Sequence, residues 1–221
     1  MKIEPLKINN RIRTTPCIFA ENLIKMKIAI AGLPKSNKTL LAMALSNMTD
    51  IPYIRSKTML EWYRIFSISN SVGLNWKDAL LIASSSFFER SKIESYYDQC
   101  ISDGASFSEL MWLKSNFAER FRKRMKNERI NIIESLEHMS LSYAASRYDF
   151  VLHAETAINA ELSNDRFIGA YSKYHIPYKI YNTDCLERSL IEISTDLNLS
   201  MKNTVENSIH AAKLSLFLKN E

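Results

Sequence analysis

The chain has 221 residues, which suits one domain with an appendage, and 46% of them are hydrophobic and 24% charged, as in ordinary globular proteins. No apolar run reaches the roughly 18 residues of a membrane span, and the first ten residues lack a signal peptide's apolar segment, so we expect neither a membrane nor a secreted protein. The three cysteines lie far apart, which favours reduced thiols in the cytoplasm over a metal cluster, and the net charge of +5 favours an anionic partner only weakly.

The first 25 residues contain two prolines and show no helical period. We interpret 1–25 as an N-terminal arm, either an edge strand or a segment that wraps the surface. The main domain is expected over 26–197, and a C-terminal amphipathic helix over 198–221.

The stretch "KIAIAGLPKSNKTLLAMALS" predicts a buried strand at 27–31, a tight loop and an apolar helix at 38–47. The loop matches the phosphate-binding pattern G-x-x-x-x-G-K-[ST] except that Asn37 replaces a glycine. In such a loop backbone N–H groups surround the phosphates, the lysine reaches the β- and γ-phosphates, and the hydroxyl binds Mg²⁺. Asparagine is the residue after glycine that best tolerates a left-handed backbone, so Asn37 predicts a tolerated variant. The expected ATP–Mg²⁺ site comprises Gly32, Lys35, Ser36, Asn37, Lys38 and Thr39.

The rest of the chain alternates between strand and helix patterns. Further strands are expected at 51–56, 100–102, 148–154 and 176–182. Helices are expected at 59–66, 75–99 with Asn75 as N-cap, 106–147 with a break near Asn127, 165–175, 184–197, and from Ser200 onward. This alternation predicts a three-layer α/β P-loop NTPase fold with a mainly parallel sheet of about five strands.

Asp103 ends the strand that "CIS" predicts and is followed by Gly104. Since ligands bind at the carboxyl ends of parallel strands, this carboxylate is expected beside the P-loop, where it would bind Mg²⁺ or accept the proton of an acceptor hydroxyl. The alternative is that Asp103 and Gly104 form an ordinary turn.

Several motifs together resemble the P-loop kinases related to nicotinamide riboside kinase, the NadR-like kinases. They are "KIAIAGLPKSNKTLLAMAL", "ERSKIESYYDQ", "ISDGASFSELMWL", "SRYDFVLHAE" and "IPYKIYNTDCLERSLIEI", within about 26–197. The resemblance implies ATP-dependent phosphoryl transfer to a hydroxyl of a nucleoside, nucleotide or nucleobase. Lys38 would neutralise phosphate oxygens, Thr39 would hold Mg²⁺, and Asp103 would be the base or a metal ligand.

The same resemblance implies roles for three further residues. Arg166 would be a lid cation on the transferred phosphoryl group, although relatives carry more lid arginines there, and the alternative is a solvated helix charge. Asn182 and Thr183 would form the loop beside the adenine of ATP, and they also suit a helix N-cap.

Two features leave alternatives open. The densest basic run, with Arg120, Lys123 and Arg124, is either a solvated helix face or a contact for nucleic-acid phosphates. The C-terminal helix carries an apolar stripe of Val205, Ile209, Ala212 and Leu216, which either packs on the edge of the sheet or mediates self-association.

These sequence features are compatible with three alternative functions. The first is a kinase for a small-molecule, nucleoside-type acceptor. The second is a kinase that phosphorylates a hydroxymethylated base within DNA, which draws on the basic run. The third is a nucleotide-binding structural or regulatory protein that has lost turnover, which draws on Asn37 and the short lid segment.

Overall fold

The computed structural model describes residues 25–68, 75–111, 114, 127–157 and 164–218. They contain a five-stranded sheet of order β2-β3-β1-β4-β5, in which every neighbouring pair is parallel. The strands are β1 (Lys27–Ala31), β2 (Tyr53–Ile54), β3 (Cys100–Asp103), β4 (Phe150–Glu155) and β5 (Tyr178–Asn182). The predicted parallel sheet, with 27–31 at its centre, is therefore confirmed.

The helices lie between successive strands, except for two that follow the last strand. They are α1 (Lys38–Thr49), α2 (Met59–Ile65), α3 (Trp76–Ser95), α4 (Asn127–Arg147), α5 (Asn164–Tyr174), α6 (Leu186–Asp196) and α7 (Val205–Phe217), with one further helical turn at 108–111. Asn75 accepts hydrogen bonds from the backbone N–H groups of Lys77 and Asp78, which confirms it as the N-cap of α3.

The central strand is apolar on both faces because the sheet is covered on both faces. Ile28 and Ile30 pack with α1, α6 and α7 on one side, and Ala29 and Ala31 pack with α4 and α5 on the other. In the register of the sheet, Ile30 pairs with Asp103 of β3. The last residues of β1 and β3 therefore meet at the same edge, where the P-loop begins.

Helix α7 packs against α1 and α6. Ala212 is fully buried, and Val205, Ile209 and Leu216 contact the core beneath it. The apolar stripe thus covers neighbouring helices, and the expectation that it packs on the edge of the sheet is wrong. The helix begins at Val205, several residues after Ser200, because the Thr204 hydroxyl caps it by accepting the N–H of Asn207.

Several expectations lie on residues outside those described, namely the arm up to residue 24 and the basic run with Arg120, Lys123 and Arg124. In the parts of the chain that the structure covers, no helix combines the length and apolar character that crossing a membrane requires.

Candidate functional site

The P-loop connects β1 to α1, and Asn37 has φ 55° and ψ 19°, in the left-handed region. This is the backbone that glycine would supply, as the sequence predicts for an asparagine variant. Its side-chain amide also donates to the Thr183 carbonyl oxygen at 3.1 Å. The first glycine of the pattern is required by space as well, because a Cβ on Gly32 would lie 2.3 Å from the Ala154 carbonyl oxygen.

The side chains of the loop differ in their exposure. Lys35 is exposed, with φ 65°, whereas Ser36 is 1% exposed and its buried hydroxyl has no hydrogen-bond partner among the described residues. The Lys38 ammonium donates to the Leu33 carbonyl oxygen at 2.7 Å, so it lies across the loop. Desolvation lowers the pKa of Lys38, although the negative charges of Asp103 and Glu109 act in the opposite direction.

Asp103 lies directly beside the P-loop, 4% exposed. The Thr39 hydroxyl donates to its Oδ2 at 2.8 Å, and the Tyr53 hydroxyl donates to the same oxygen at 3.1 Å. Burial, followed by the charge of Asp103, raises the pKa of Tyr53, which keeps this phenol protonated as a donor. The structure therefore brings together the hydroxyl and the carboxylate that the sequence proposes as metal ligands.

Thr39 and Asp103 fit a magnesium ion because both offer oxygen ligands and because the distance between those oxygens is suitable. Mg²⁺ takes oxygen ligands in octahedral geometry at about 2.0–2.1 Å, which puts adjacent ligands about 2.9 Å apart. The Thr39 and Asp103 oxygens, 2.8 Å apart, match that spacing.

The loop after β5 is fastened to the P-loop through Thr183. Its hydroxyl lies 2.9 Å from the Ser36 carbonyl oxygen and 2.8 Å from the Glu155 carbonyl oxygen, and its N–H donates to Glu155 at 2.7 Å. Asn182 instead accepts the N–H of Asp184 within its own loop. The helix α6 has Cys185 as N-cap residue, so the N-cap interpretation of Asn182 and Thr183 is wrong.

Arg166 lies near the start of α5 and is exposed, and its guanidinium donates to the Lys114 carbonyl oxygen at 3.3 Å. Its role as a lid cation stays a prediction.

Sequence reasoning gave no role to a second group of polar residues, which lies behind Asp103. Arg90 of α3 is 5% exposed and donates to the Ser56 hydroxyl. Its Nε and Nη1 atoms, and Oε2 of Glu109, are buried without a hydrogen-bond partner among the described residues. A Cβ on Gly104 would lie 3.3 Å from both the Arg90 guanidinium and the Ser56 hydroxyl, so this group adjoins the residue after Asp103.

The positive charge of Arg90 is balanced by nearby carboxylates. Desolvation alone would lower the pKa of Arg90, but the negative groups around it outweigh desolvation and raise that pKa. These groups are Glu109, Tyr148, Glu94 and Asp103. A signal for this residue exists in the sequence. Arg90 and Glu94 continue the buried stripe of α3 that contains Ala79, Ala83, Ser86 and Phe87 at spacings of three and four. Charges on such a stripe need buried partners.

Glu94 connects this group to the loop that carries Asp103. It is fully buried and accepts hydrogen bonds from the Ser102 hydroxyl at 2.6 Å and the Tyr148 hydroxyl at 3.0 Å. The Ser106 N–H in turn donates to Tyr148 at 2.9 Å. Residues on both sides of Asp103 are thereby anchored to one buried carboxylate, which restricts where the Asp103 side chain can lie.

Comparison with known proteins found no matching family model and no matching curated protein. Among solved structures, deoxyadenosine kinase from M. mycoides with bound dATP aligns over 78% of this chain and 100% of that one, with a TM-score of 0.54 and 12% identity. The chain has the P-loop NTPase fold. Structures of the same kinase with the products dCMP and dCDP, and with dCTP, give TM-scores of 0.53 and 0.51 at 14% and 13% identity. The narrower resemblance to NadR-like kinases stays a prediction.

Proposed function

We propose that this protein is an ATP-dependent kinase that transfers the γ-phosphoryl group to a hydroxyl of a nucleoside-type acceptor. The observation that carries the proposal is the contact between Thr39 of the P-loop and Asp103 of the neighbouring strand, with Lys38 adjacent. Phosphoryl transfer depends on positioning and charge stabilisation more than on covalent chemistry by the protein. A lysine, a hydroxyl and a carboxylate around one phosphate cradle supply these functions.

Each residue has a role in this reaction. Lys38 neutralises oxygens of the β- and γ-phosphates, while the loop N–H groups orient the triphosphate. Thr39 and Asp103 would hold Mg²⁺, which when bound neutralises charge on the β- and γ-phosphate oxygens. Tyr53 orients Asp103 by its hydrogen bond to Oδ2.

In the transfer step, the acceptor oxygen forms a bond to the γ-phosphorus as the bond from that phosphorus to the β–γ bridging oxygen breaks and ADP leaves. The acceptor proton goes to a carboxylate, for which Asp103 is the candidate. Both hydrogen bonds to Asp103 fall on Oδ2. Its Oδ1 accepts none within the described residues and suits the role of proton acceptor.

The acceptor class follows from the unpaired atoms of Arg90 and Glu109. A guanidinium offers donors and a carboxylate offers acceptors, so together they complement an edge that carries both kinds of group, as nucleobases do. Three solved structures with a similar fold are of deoxyadenosine kinase from M. mycoides. The polar atoms of Arg90 and Glu109 and the similarity in fold both support a nucleoside-type small molecule as the acceptor, over a molecule that offers a hydroxyl alone.

The test is a transfer assay with γ-labelled ATP and Mg²⁺, offered with free nucleosides and deoxynucleosides in one set and with hydroxymethylated duplex DNA in another. The proposal predicts label in a small molecule, lost in the Asp103→Asn variant. Label in DNA, falling steeply with salt, would favour the DNA-modifying alternative. ATP binding with no transfer to any acceptor or to water would favour a regulatory protein.

A further inference from the structure

The carboxylate of Glu94, near the end of α3, is fully buried and accepts hydrogen bonds from hydroxyl groups of three described residues. Ser102 and Tyr148 donate to its Oε1 at 2.6 and 3.0 Å, and Tyr143 donates to its Oε2 at 2.9 Å. Burial, followed by the charge of Glu94, raises the pKa of both tyrosines, so they stay protonated as donors. Because hydrogen bonds to an ionised acceptor are stronger than neutral ones, this carboxylate firmly holds the segments that contact it.

The strand β3 connects Glu94 to the P-loop. Ser102 and Asp103 are consecutive in this strand, so their side chains point to opposite faces of the sheet. The Asp103 carboxylate faces the P-loop, where Thr39 donates to it, and the Ser102 hydroxyl faces α3, where it donates to Glu94. A rotation of the strand end that moved Asp103 away from Thr39 would also break the bond between Ser102 and Glu94. Glu94 thus restrains Asp103 from the opposite face of the sheet.

The chain after Asp103 is restrained by the same carboxylate. Gly104 follows with φ 89°, in the region that favours glycine, and a glycine leaves the backbone beyond it free to turn. The next restraint is the N–H of Ser106, which donates to the Tyr148 hydroxyl at 2.9 Å. Since Tyr148 donates in turn to Oε1 of Glu94, the segments on both sides of Asp103 depend on one oxygen atom.

The end of α3 is itself attached to the central strand. The Lys27 ammonium, at the start of β1, donates to the Glu94 carbonyl oxygen at 2.7 Å. The P-loop leaves the other end of β1, and Asp103 pairs in register with Ile30 of the same strand. Glu94, Asp103 and the P-loop are therefore held relative to a single strand.

We propose that Glu94 is a positioning residue for phosphoryl transfer. Through Ser102 and Tyr148 it holds Asp103 beside the P-loop, and it is too deeply buried to contact a ligand itself. The inference rests on the proposed function, since it requires Asp103 to bind Mg²⁺ or to accept the proton of the acceptor hydroxyl. Reacting groups must be held within about 0.5 Å of the productive geometry, so loss of this restraint should slow transfer while the ATP site stays intact.

The first test compares two tyrosine variants that each remove one hydrogen bond from Glu94. Tyr148→Phe breaks the link to the segment after Asp103 and should lower kcat about tenfold or more, with the KM for ATP unchanged. Tyr143→Phe is the matched control, because it removes the donor to Oε2 and leaves both bonds to Oε1 in place, so its kcat should stay near the wild-type value. Ser102→Ala removes the other link to Asp103, and its kcat should fall as in Tyr148→Phe. It carries the same comparison if Tyr148→Phe does not fold.

A positioning role also requires that the effect passes through Asp103. In an Asp103→Asn background, Tyr148→Phe should therefore lower the residual kcat no further. An equal fall in both backgrounds would overturn the inference, because Tyr148 would then affect turnover independently of Asp103.

The position of Asp103 gives a measurement that does not depend on activity. In a crystal structure of the Ser102→Ala/Tyr148→Phe variant, the Asp103 carboxylate should lie about 0.5 Å or more from its wild-type position. Its hydrogen bond from Thr39 should lengthen from 2.8 Å. An unmoved carboxylate would overturn the inference.

The kinetic outcomes separate this inference from the proposed function. A wild-type protein that transfers no phosphoryl group in the transfer assay would overturn both. A wild-type protein that does transfer it, while Tyr148→Phe and Ser102→Ala turn over as fast as Tyr143→Phe, would overturn the role of Glu94 alone.

Discussion

The two sides of the P-loop differ in how their buried polar groups are satisfied. On the donor side, defined as the P-loop with the loop after β5, Thr183 joins Ser36 to Glu155. In the part of the chain that the structure describes, the neutral hydroxyl of Ser36 has no partner there. On the acceptor side, defined as Ser56, Arg90 and Glu109, the buried atoms that find no partner among the described residues belong to a guanidinium and a carboxylate.

A buried charged group without its hydrogen bonds costs more free energy than a neutral hydroxyl in the same condition. The donor side therefore carries the smaller cost without its ligand, whereas the acceptor side carries a larger cost that a ligand with matching donors and acceptors can offset. Substitutions on the two sides should accordingly differ in their effects on the free energy of unfolding and on ligand binding. Asp103 lies between the two sides.

The largest effect is expected at Asp103. Asp103→Asn keeps the shape but removes the proton acceptor, so kcat should fall by about 10²–10⁴-fold, the usual contribution of a positioned acid or base. ATP should still bind, since the P-loop is intact. Steady-state kinetics with the acceptor found in the transfer assay measures this. Asp98→Asn is the control, because Asp98 precedes β3 and is exposed in an ion pair with Lys25. Full turnover by Asp103→Asn would contradict the mechanism.

The acceptor side should show strong coupling between its charges. Arg90→Met removes the guanidinium charge that offsets the buried Glu94 and Asp103 and the half-buried Glu109, and should lower the free energy of unfolding by about 3–5 kcal/mol. The double variant Arg90→Met/Glu109→Met should be more stable than Arg90→Met alone. Urea unfolding of the four proteins in this cycle gives the coupling energy. Strictly additive effects would show that the two side chains do not interact.

On the donor side, Thr183→Val removes the hydroxyl that lies between the Ser36 and Glu155 carbonyl oxygens. The free energy of unfolding should fall by about 1–2 kcal/mol, with weaker ATP binding because the P-loop loses its link to the loop after β5. The control is Thr195→Val, since Thr195 is exposed on α6 and its hydroxyl bonds only within that helix. Equal losses in the two variants would argue against a special role for Thr183.

The backbone of the P-loop is tested at Asn37, where the glycine variant should show the smallest effect of those considered. Asn37→Gly keeps the left-handed backbone and loses only the side-chain bond to Thr183, so ATP affinity should change little. Asn37→Val places a β-branched residue at φ 55° and should cost about 1–2 kcal/mol or more, with weaker ATP binding. Thermal unfolding and ATP titration of both variants test this. Identical behaviour of the valine and glycine variants would refute the backbone argument.

Much of the donor side could be predicted from the sequence, because its signals are local. Each of its signals occupies a few consecutive residues: the P-loop pattern, the strand that precedes it and the strand that ends in Asp103. The alternation of strands and helices predicts a parallel sheet, and the carboxyl ends of parallel strands lie at the same edge. The left-handed backbone at Asn37 also follows from residue type.

The acceptor side depends on contacts that no local pattern encodes. Arg90 and Glu109 are 19 positions apart in the sequence, and their charges act on each other because Arg90 of α3 lies beside Gly104, in the segment after β3. Thr183 and Ser36 are separated by 147 positions, and the packing of α7 on α1 likewise depends on tertiary structure. The period of an apolar stripe indicates that a helix face is buried, but it does not indicate which element covers it.

Lys38 also links charge burial to stability. Because desolvation lowers its pKa, the unfolded chain binds this proton more tightly than the folded protein does. The contribution of Lys38 to stability should therefore rise with pH between the lowered folded value and the ordinary 10.5. In Lys38→Ala that rise should be absent, and the variant should remain folded at neutral pH, which makes it a clean test of ligand binding.

The proposed function depends on the binding of a nucleoside triphosphate by the P-loop with Asn37. It is tested most directly by the melting temperature with millimolar ATP and Mg²⁺. The melting temperature of the wild type should rise by mass action, since the ligand binds only the folded state, and that of Lys38→Ala should not rise. A folded wild-type protein whose melting temperature does not change with ATP, or an equal rise in Lys38→Ala, would contradict it.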